Sequence, residues 1–428
     1  MSPRHSSSLL IRHGRVLDPG RTTGATDVLI KDGKIAEVGR DLTVATGTDV
    51  MDAGGKWVWP GFVDLHVHLR EPGFEYKETI PTGTAAAAAG GFTSICCMPN
   101  TNPVNDTKAV TEFILDRARM ANSIHVFPIG AITKGSDGKE LAEYGDLKSA
   151  GCVAVSDDGK PVMNGLVMRR ALEYARAFDL PVVDHCECQH LFEGGVAHEG
   201  LVAAELGLQG IPSAAEDVMV ARDIELAALT AGRLHVAHVS TAGSVRLIRE
   251  AKARGLRVTA EACPHHFILT EEAIRDFNTN AKMNPPLRTP KDVEAIKAGL
   301  KDGTIDAIAT DHAPHAVYEK QREFENAPFG IVGLETALGL SLLLVEEGVL
   351  TLEQMVRALT TGPASAFGLA KGTLSVGADA DVVIVDPAAQ WVVDPDTFRS
   401  KGRNTPFGGW KLKGQVVSTL VGGRVVYP

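Results

Sequence analysis

Between residues 61 and 310 the sequence alternates short apolar segments with amphipathic ones, and this alternation limits the possible folds more than any other feature. The spacing predicts strands at 61–66, 93–98, 124–129, 153–156, 182–185, 234–238, 257–262 and 307–310. Helical patterns separate most of them, for example at 82–89, 109–120, 163–178, 214–231, 244–254 and 290–301. Eight β–α units in one stretch predict a (β/α)₈ barrel of the TIM type, in which functional groups lie at the carboxyl ends of the strands.

The two ends of the chain differ from this middle because both are rich in short strands. Residues 9–17 and 28–38 read as strands, and Asp32-Gly33 is a hairpin turn signal. Residues 380–386 and 417–427 repeat the pattern, with Gly422-Gly423 at the turn. We therefore expect residues 1–60 and 373–428 to form one small β-sandwich domain, and residues 61–372 to form the catalytic barrel.

Composition excludes several classes of protein. The formal net charge of the 428 residues is -10 without a basic cluster, which argues against nucleic-acid binding. No apolar run reaches the roughly 20 residues that cross a bilayer. The first ten residues have no apolar core of a signal peptide, and the six cysteines lack the spacing of a secreted protein. The sequence predicts a cytoplasmic protein with no membrane or nucleic-acid partner.

Polar residues gather where the predicted barrel strands end. His66 and His68 lie two positions apart on one strand, so their side chains point the same way. Other strand ends carry Asp157, Asp158, His185, His238 and Asp311, whereas we expect His125, His235, His265 and His266 not to be ligands. Imidazoles and carboxylates suit zinc. Four histidines and two carboxylates exceed what one tetrahedral ion with an open position needs, so the pattern favours two metals that share a bridging ligand.

Each of these residues also has a plainer interpretation. A histidine at a strand end is often only hydrogen-bonded there, and Asp311 alone would serve as the cap of a helix. Asp157 and Asp158 alone would form a turn before Gly159. Their joint occurrence at the ends of strands in one barrel favours the metal site.

Several motifs together resemble those of class I bacterial dihydroorotases, in the cyclic amidohydrolase superfamily, and the resemblance covers the whole chain. The motifs are Asp64-Leu-His-Val-His-Leu-Arg-Glu-Pro-Gly73, Met98-Pro-Asn-Thr-Asn-Pro103, Ser156-Asp-Asp-Gly159, Asp184-His-Cys-Glu187, Ala237-His-Val-Ser240, Cys263-Pro-His-His266, Lys282-Met-Asn-Pro-Pro-Leu-Arg288, Thr310-Asp-His-Ala-Pro-His315 and Ala327-Pro-Phe-Gly330. The resemblance implies a reversible cyclisation of N-carbamoyl-L-aspartate to L-dihydroorotate in pyrimidine biosynthesis.

The resemblance also implies a role for each site residue. The metal set would be His66 and His68 on one zinc, Asp158 as the bridge, His185 and His238 on the second zinc, and Asp311 on the first zinc and as general base and acid. The substrate set would be Arg70, Asn100 and His315 around the carboxylate, with Asn284, the backbone of Phe329 and Gly330, and His68 also in contact. Spacing to His185 favours Asp158 over Asp157 as the bridge, although the choice stays open.

Two other functions compete with this interpretation. Hydantoinase-like and allantoinase-like relatives normally bridge their metals with a carboxylated lysine, whereas residues 153–158 are Val-Ala-Val-Ser-Asp-Asp here. A catalytically silent scaffold for aspartate transcarbamoylase would normally lose metal ligands, and none is missing. Association with that enzyme, a homo-oligomeric state and the number of bound zincs stay open. Residues 312–329 read as a mobile active-site loop or, alternatively, as an exposed helix with solvated charges.

Overall fold

A computed structural model describes residues 8–428; the first seven, on which much of the signal-peptide expectation rests, lie outside the described part. Eight parallel strands follow one another in chain order around a barrel. Barrel strands 1 to 8 are Phe62–Val67, Phe92–Cys97, His125–Gly130, Ala154–Ser156, Val182–Asp184, Leu234–Val236, Val258–Ala262 and Ala307–Ile308. The predicted (β/α)₈ barrel is confirmed.

Strand 1 and strand 8 meet and complete the ring. The carboxylate of Asp64 accepts hydrogen bonds from the backbone nitrogen of Thr310 at 3.1 Å and from its hydroxyl at 2.6 Å. Val67, the last residue of strand 1, and His312, which follows strand 8, form a parallel bridge. Asp64 is fully buried, so these bonds supply the partners that a buried carboxylate requires.

Helices surround the barrel and cover its strands. The α-helices are Ile80–Ala89, Lys108–Ala121, Tyr144–Ala150, Gly165–Arg176, Leu201–Leu206, Ser213–Thr230, Ala242–Ala253, Pro264–Ile268, Pro290–Asp302, Val317–Lys320, Ala337–Glu346, Leu352–Leu359 and Thr361–Phe367. Short 3₁₀ turns occupy Lys134–Ser136, Gln189–Leu191, Glu271–Phe277, Thr279–Ala281 and Pro395–Thr397. The helix expected at 82–89 begins earlier, at Ile80, because the Thr79 side chain caps it and a proline is tolerated in the first turn. None of these helices, within residues 8–428, is long and apolar enough to span a membrane.

Two sheets pack against each other beside the barrel. One, in spatial order, consists of Lys34–Gly39, Asp27–Lys31, Ser8–Arg12 and Asp49–Asp52; the other consists of Arg424–Tyr427, Lys411–Val421, Val382–Val392, Trp57–Pro60, Arg15–Asp18 and Thr22–Ala25. Ile11 and Ile30 of the first sheet share a buried cluster with Val58 and Ile384 of the second. The small domain therefore joins both ends of the chain, while its limits at 60 and 373 stay a prediction.

The segment after strand 8 has little regular structure. Its only α-helix is the four-residue Val317–Lys320. Glu319, Lys320 and Phe324 are buried, whereas Glu323 and Glu325 are exposed. The alternative of an exposed helix with solvated charges is therefore wrong for part of the segment, and its mobility stays a prediction.

Candidate active site

The carboxyl ends of five barrel strands bring the six predicted metal ligands together. His66 lies in strand 1, and the others follow their strands by one to three residues: His68 after strand 1, Asp158 after strand 4, His185 after strand 5, His238 after strand 6 and Asp311 after strand 8. All six side chains are buried.

Four of these side chains surround one point. The Nε2 atom of His66 lies 3.5 Å from Oδ2 of Asp158 and 3.5 Å from Oδ1 of Asp311. The Nε2 atom of His68 lies 3.6 Å and 2.9 Å from the same two oxygens. Ligand atoms at the corners of a tetrahedron around zinc are about 3.3 Å apart, so these separations fit one small metal ion.

A second group shares Asp158 with the first. Its other oxygen, Oδ1, lies 3.5 Å from Nδ1 of His185 and 3.4 Å from Nε2 of His238. Those two ring nitrogens are 2.9 Å apart. Asp158 thus presents one oxygen to each group, which is the arrangement that a bridging ligand requires.

The neighbouring Asp157 turns away from both groups. Its carboxylate accepts hydrogen bonds from the backbone nitrogen of Thr133 at 2.9 Å and from the Thr133 hydroxyl. Its contacts therefore tie strand 4 to the loop after strand 3, and its side chain lacks the imidazole neighbours that surround Asp158.

The electrostatics of the cluster keep its carboxylates ionised. Burial raises the pKa of Asp158, but the charge of His66 and the close imidazoles of His185 and His238 outweigh burial and hold this pKa well below its usual value. Burial likewise raises the pKa of Asp311, and the nearby imidazoles lower it further than burial raises it. For His66, burial lowers the pKa, and the two carboxylates overcome that effect and raise it. A divalent cation would balance the charge of these carboxylates in the same way as protons on the imidazoles do.

Unpartnered atoms inside the cluster test whether a metal fits. Among the described residues, Nε2 of His66 and Oδ1 of Asp158 are buried without a hydrogen-bond partner. Buried polar atoms normally find partners, and these two point into the two ligand groups. Imidazole nitrogens and carboxylate oxygens are also the donors that zinc prefers. The residues present therefore fit a metal centre.

Side chains behind the ligands fix which imidazole nitrogen faces the cluster. Nδ1 of His66 lies 2.8 Å from a carboxylate oxygen of Glu261, and Nδ1 of His68 lies 2.9 Å from Oδ1 of Asn100. Both acceptors hold the proton at Nδ1 and leave Nε2 free as a ligand. Asn100, predicted only as a substrate contact, thus also positions His68.

Glu261 is a functional residue that the sequence reasoning missed. It is completely buried in strand 7, and its second oxygen lies 3.1 Å from Nε2 of His235, whose Nδ1 is 2.8 Å from the Thr259 hydroxyl. Burial raises the pKa of Glu261, but its two imidazole partners outweigh burial and lower the pKa to about 2. A lone carboxylate in a strand of otherwise uncharged residues was the signal that could have revealed it. His235, as expected, already has partners for both ring nitrogens.

A cleft of about 310 Å³ opens above the six predicted metal ligands. All residues of the predicted substrate set line it, namely His68, Arg70, Asn100, Asn284, His315, Phe329 and Gly330. Arg70 donates from Nε to the carbonyl oxygen of Pro314 at 3.2 Å, and one of its terminal nitrogens lies 3.4 Å from Nε2 of His315. The structure therefore brings a guanidinium, an amide and an imidazole to the same opening as the ligand cluster.

Three site residues have backbone conformations that side chains rarely adopt. The φ angles are +62° for Arg70, +29° for His238 and +45° for Asp311. Non-glycine residues with positive φ cost energy and concentrate at functional sites, where the surrounding structure holds them. The backbone therefore accepts strain at three of the residues that face the cleft.

Comparisons with known proteins first identify the general class to which the chain belongs. A family model described as "Amidohydrolase family" matches residues 197–427, more than half of the chain. The L-hydantoinase (dihydropyrimidinase) of Arthrobacter aurescens superposes with a TM-score of 0.87 at 29% identity, over 98% of this chain and 96% of that one. The dihydropyrimidinase of Brevibacillus agri NCHU1002 gives 0.84 at 28% identity, over 98% and 95%. The chain belongs to the amidohydrolase family and has the fold of these enzymes.

The sequence relatives narrow this class. A model described as "Dihydro-orotase-like" matches residues 55–244. A dihydroorotase of Syntrophus aciditrophicus (strain SB) is 56% identical over 421 residues, 98% of this chain and 99% of that protein. A dihydroorotase of Anaeromyxobacter dehalogenans (strain 2CP-C) is 60% identical over 425 residues, 99% and 98% of the two proteins. The chain belongs to the dihydroorotase family.

Proposed function

We propose that this protein interconverts N-carbamoyl-L-aspartate and L-dihydroorotate in pyrimidine biosynthesis. The observation that carries this proposal is a single cleft that combines a metal-ligand cluster with Arg70, Asn100 and His315. The substrate ring has an amide to open and a carboxylate to recognise, and the cleft offers one set of groups for each task. The close relatives named dihydroorotase support the same reaction.

The cofactor proposed is zinc, with two ions in each subunit. His66, His68, Asp158 and Asp311 would hold one ion, and Asp158, His185 and His238 would hold the other. Zinc in such a centre lowers the pKa of water to about 7 and polarises a carbonyl oxygen. A ligand at Nδ1 of His185 requires the ring proton at Nε2, next to Asn284. The Asn284 amide oxygen, which has no partner among the described residues, would accept a hydrogen bond from that N–H after a flip of the amide.

Asp311 is the proposed general base and acid. It is buried beside the cleft, its carboxylate is held ionised, and it contacts Nε2 of His68 at 2.9 Å. In hydrolysis it would accept a proton from the attacking water and return it to the ring nitrogen that leaves. Such a group contributes about 10²–10⁴-fold in rate.

Arg70 is the proposed anchor of the substrate carboxylate. A guanidinium can bind both carboxylate oxygens at once, and the partial burial of Arg70 strengthens such a contact. Asn100 and His315 would complete the carboxylate site from neighbouring loops, while Asn284 and the backbone of Phe329 and Gly330 would contact the ring. Hydantoin and dihydrouracil have no such carboxylate, which separates this function from a hydantoinase-like one.

We further propose that the protein acts in the cytoplasm as a homo-oligomer, either alone or in association with aspartate transcarbamoylase. All six cysteines are free thiols and five of them are buried, which suits a reducing compartment. A scaffold without activity would have no need of the six intact ligands, so the catalytic function is the better proposal.

The test compares substrates and one variant. Purified, zinc-loaded protein should turn over dihydroorotate and leave hydantoin, allantoin and dihydrouracil nearly unchanged. Asp311→Asn should lower kcat at least about 100-fold, the low end for a general acid–base group. Zinc content and circular dichroism of the variant are measured in parallel, because Asp311 is also a proposed ligand. Turnover of hydantoin without turnover of dihydroorotate would refute the proposed function.

A further inference from the structure

Two buried lysines take no part in the chemistry described above. Lys282 is 2% exposed and Lys320 is 6% exposed, although lysine is rarely buried without a specific partner. Lys282 lies two residues before Asn284, and Lys320 ends the four-residue helix after strand 8. Within residues 8–428, neither ammonium group forms an ion pair within 4.0 Å of a carboxylate, so its partners must be sought elsewhere.

Both lysines bind the backbone of one segment, residues 324–330, which we call the strap. Nζ of Lys282 donates to the carbonyl oxygens of Phe324 at 2.6 Å and Glu325 at 3.0 Å. Nζ of Lys320 donates to those of Pro328 at 2.8 Å and Gly330 at 3.2 Å. Four of the seven strap carbonyls therefore accept hydrogen bonds from two ammonium groups.

Aromatic rings of the strap enclose the Lys282 ammonium group. It lies 5.4 Å from the ring centre of Phe324 and 4.7 Å from that of Phe329, within the range of cation–π attraction. Burial lowers the pKa of Lys282 to about 8, and burial with the nearby charge of Lys282 lowers that of Lys320 to about 7. Keeping two amines in such surroundings is unfavourable unless their bonds to the strap offset the lost hydration.

The strap in turn forms one wall of the active-site cleft. Pro328, Phe329 and Gly330 line the cleft, and Nε2 of His315 lies 2.8 Å from the carbonyl oxygen of Phe329. The backbone nitrogen of Gly330 donates to the carbonyl oxygen of Lys282 at 3.0 Å. A shift of the strap would therefore move both the ring-contacting backbone and an acceptor of His315.

We propose that Lys282 and Lys320 are positioning residues that lock the strap against the cleft, so that the Phe329 and Gly330 backbone is in place before the substrate binds. The inference rests on the proposed function, since it gives these two lysines a task in binding the dihydroorotate ring. The strap belongs to the segment that the sequence predicts to be mobile, and the lysine bonds are what oppose that mobility.

The test replaces each lysine by methionine, whose side chain is similar in length but has no hydrogen-bond donor. If the strap opens, only the closed fraction binds substrate, so KM rises by the inverse of that fraction. We expect KM for dihydroorotate to rise about tenfold or more in Lys320→Met and in Lys282→Met, since two bonds to a charged donor are lost. Zinc content should stay unchanged and kcat should change much less than KM.

Proteolysis gives a readout that does not depend on turnover. Glu323 lies directly before the strap and Glu325 within it, and both side chains are exposed, so a glutamate-specific protease should cut both variants about tenfold faster than the wild type. Saturating dihydroorotate should slow this cleavage. Lys252→Met is the control, because Nζ of Lys252 also binds a carbonyl oxygen, that of Gly303 at 3.1 Å, together with the Asp306 carboxylate at 2.6 Å, away from the cleft. It should change neither KM nor cleavage.

The outcomes separate the two proposals. If both lysine variants had the KM and the cleavage rate of the wild type, the proposal that the lysines hold the strap would be overturned. If the wild type did not turn over dihydroorotate, the proposed function would be overturned, and the proteolysis test would stay valid. If the variants fail to fold, hydrogen exchange of the wild-type protein tests whether the strap is held in place. The Gly330 amide should then be protected in the zinc-loaded enzyme, and exchange at the rate of a free loop would refute the lock.

Discussion

The adjacent residues Asp157 and Asp158 provide the sharpest test of the metal site, because the structure gives them opposite tasks. We expect Asp158→Ala to lose metal while it keeps the fold, and Asp157→Ala to keep metal while it loses stability. Both substitutions remove one carboxylate from the same buried turn, so each variant is the control for the other.

The size of each effect follows from the contacts. The Asp158 oxygens lie 3.4 to 3.6 Å from four ligand nitrogens, so its removal deprives both proposed ions of a ligand. Loss of a partner behind a ligand costs 10–100-fold in metal affinity, and we expect more than about 100-fold for the bridge itself. Asp157→Ala leaves the buried Thr133 nitrogen and the Thr133 hydroxyl proton without an acceptor, at a cost of about 1–3 kcal/mol in the free energy of unfolding.

Metal analysis after gel filtration measures the first effect, and thermal unfolding of the metal-free proteins measures the second. Metal-free protein is needed because a bound ion would itself raise the melting temperature. If Asp157→Ala lost its zinc and Asp158→Ala retained it, the bridge would be Asp157 and the reasoning from side-chain direction would be wrong. Equal zinc loss in both variants would mean that the turn, and not one carboxylate, holds the metals.

Three further predictions concern neighbouring groups. Arg70→Lys should raise KM for dihydroorotate about tenfold at unchanged zinc content, because charge remains and the two-pronged contact is lost; unaltered kinetics would make Arg70 merely structural. Glu261→Gln should weaken zinc binding about 10–100-fold in a chelator competition, since one amide oxygen accepts from only one of its two imidazole neighbours. Unchanged affinity would remove Glu261 from the metal site. Activity should not respond to added bicarbonate, because Asp158 is the proposed bridge in place of a carboxylated lysine; rescue of depleted enzyme by bicarbonate would contradict the aspartate bridge.

Sequence periodicity was sufficient for the barrel because its strands are short, apolar and separated by amphipathic helices. The proximity of the six proposed ligands could be predicted for a related reason: the ends of parallel strands meet on one face of a barrel, so residues that follow different strands become neighbours. Strand alternation likewise placed His66 and His68 side by side. The choice between Asp157 and Asp158 could not be made that way, because both residues lie in a turn where alternation no longer applies.

Other contacts escaped sequence reasoning because they join distant elements through side chains. The bond between Glu261 and His66 spans 195 positions, and no local pattern relates the two residues. The burial of Lys282 and Lys320 could not be predicted either, since charged residues in loops are normally exposed. Only the folded backbone reveals that the strap supplies acceptors for both amines.

The bond between Asp64 and Thr310 has a consequence for how the enzyme is made. These residues are 246 positions apart, and the first ligand group joins His66 and His68 to Asp311 at the same junction between strand 1 and the end of strand 8. During synthesis on the ribosome, a chain that has emerged only as far as strand 7 has three members of the first ligand group, the imidazoles of His66 and His68 and the carboxylate of Asp158. It still lacks the fourth member, Asp311. We therefore expect full zinc capture to be a late event in biosynthesis, one that reports closure of the barrel. Nascent chains stalled before residue 311 should retain zinc less tightly than chains released after it.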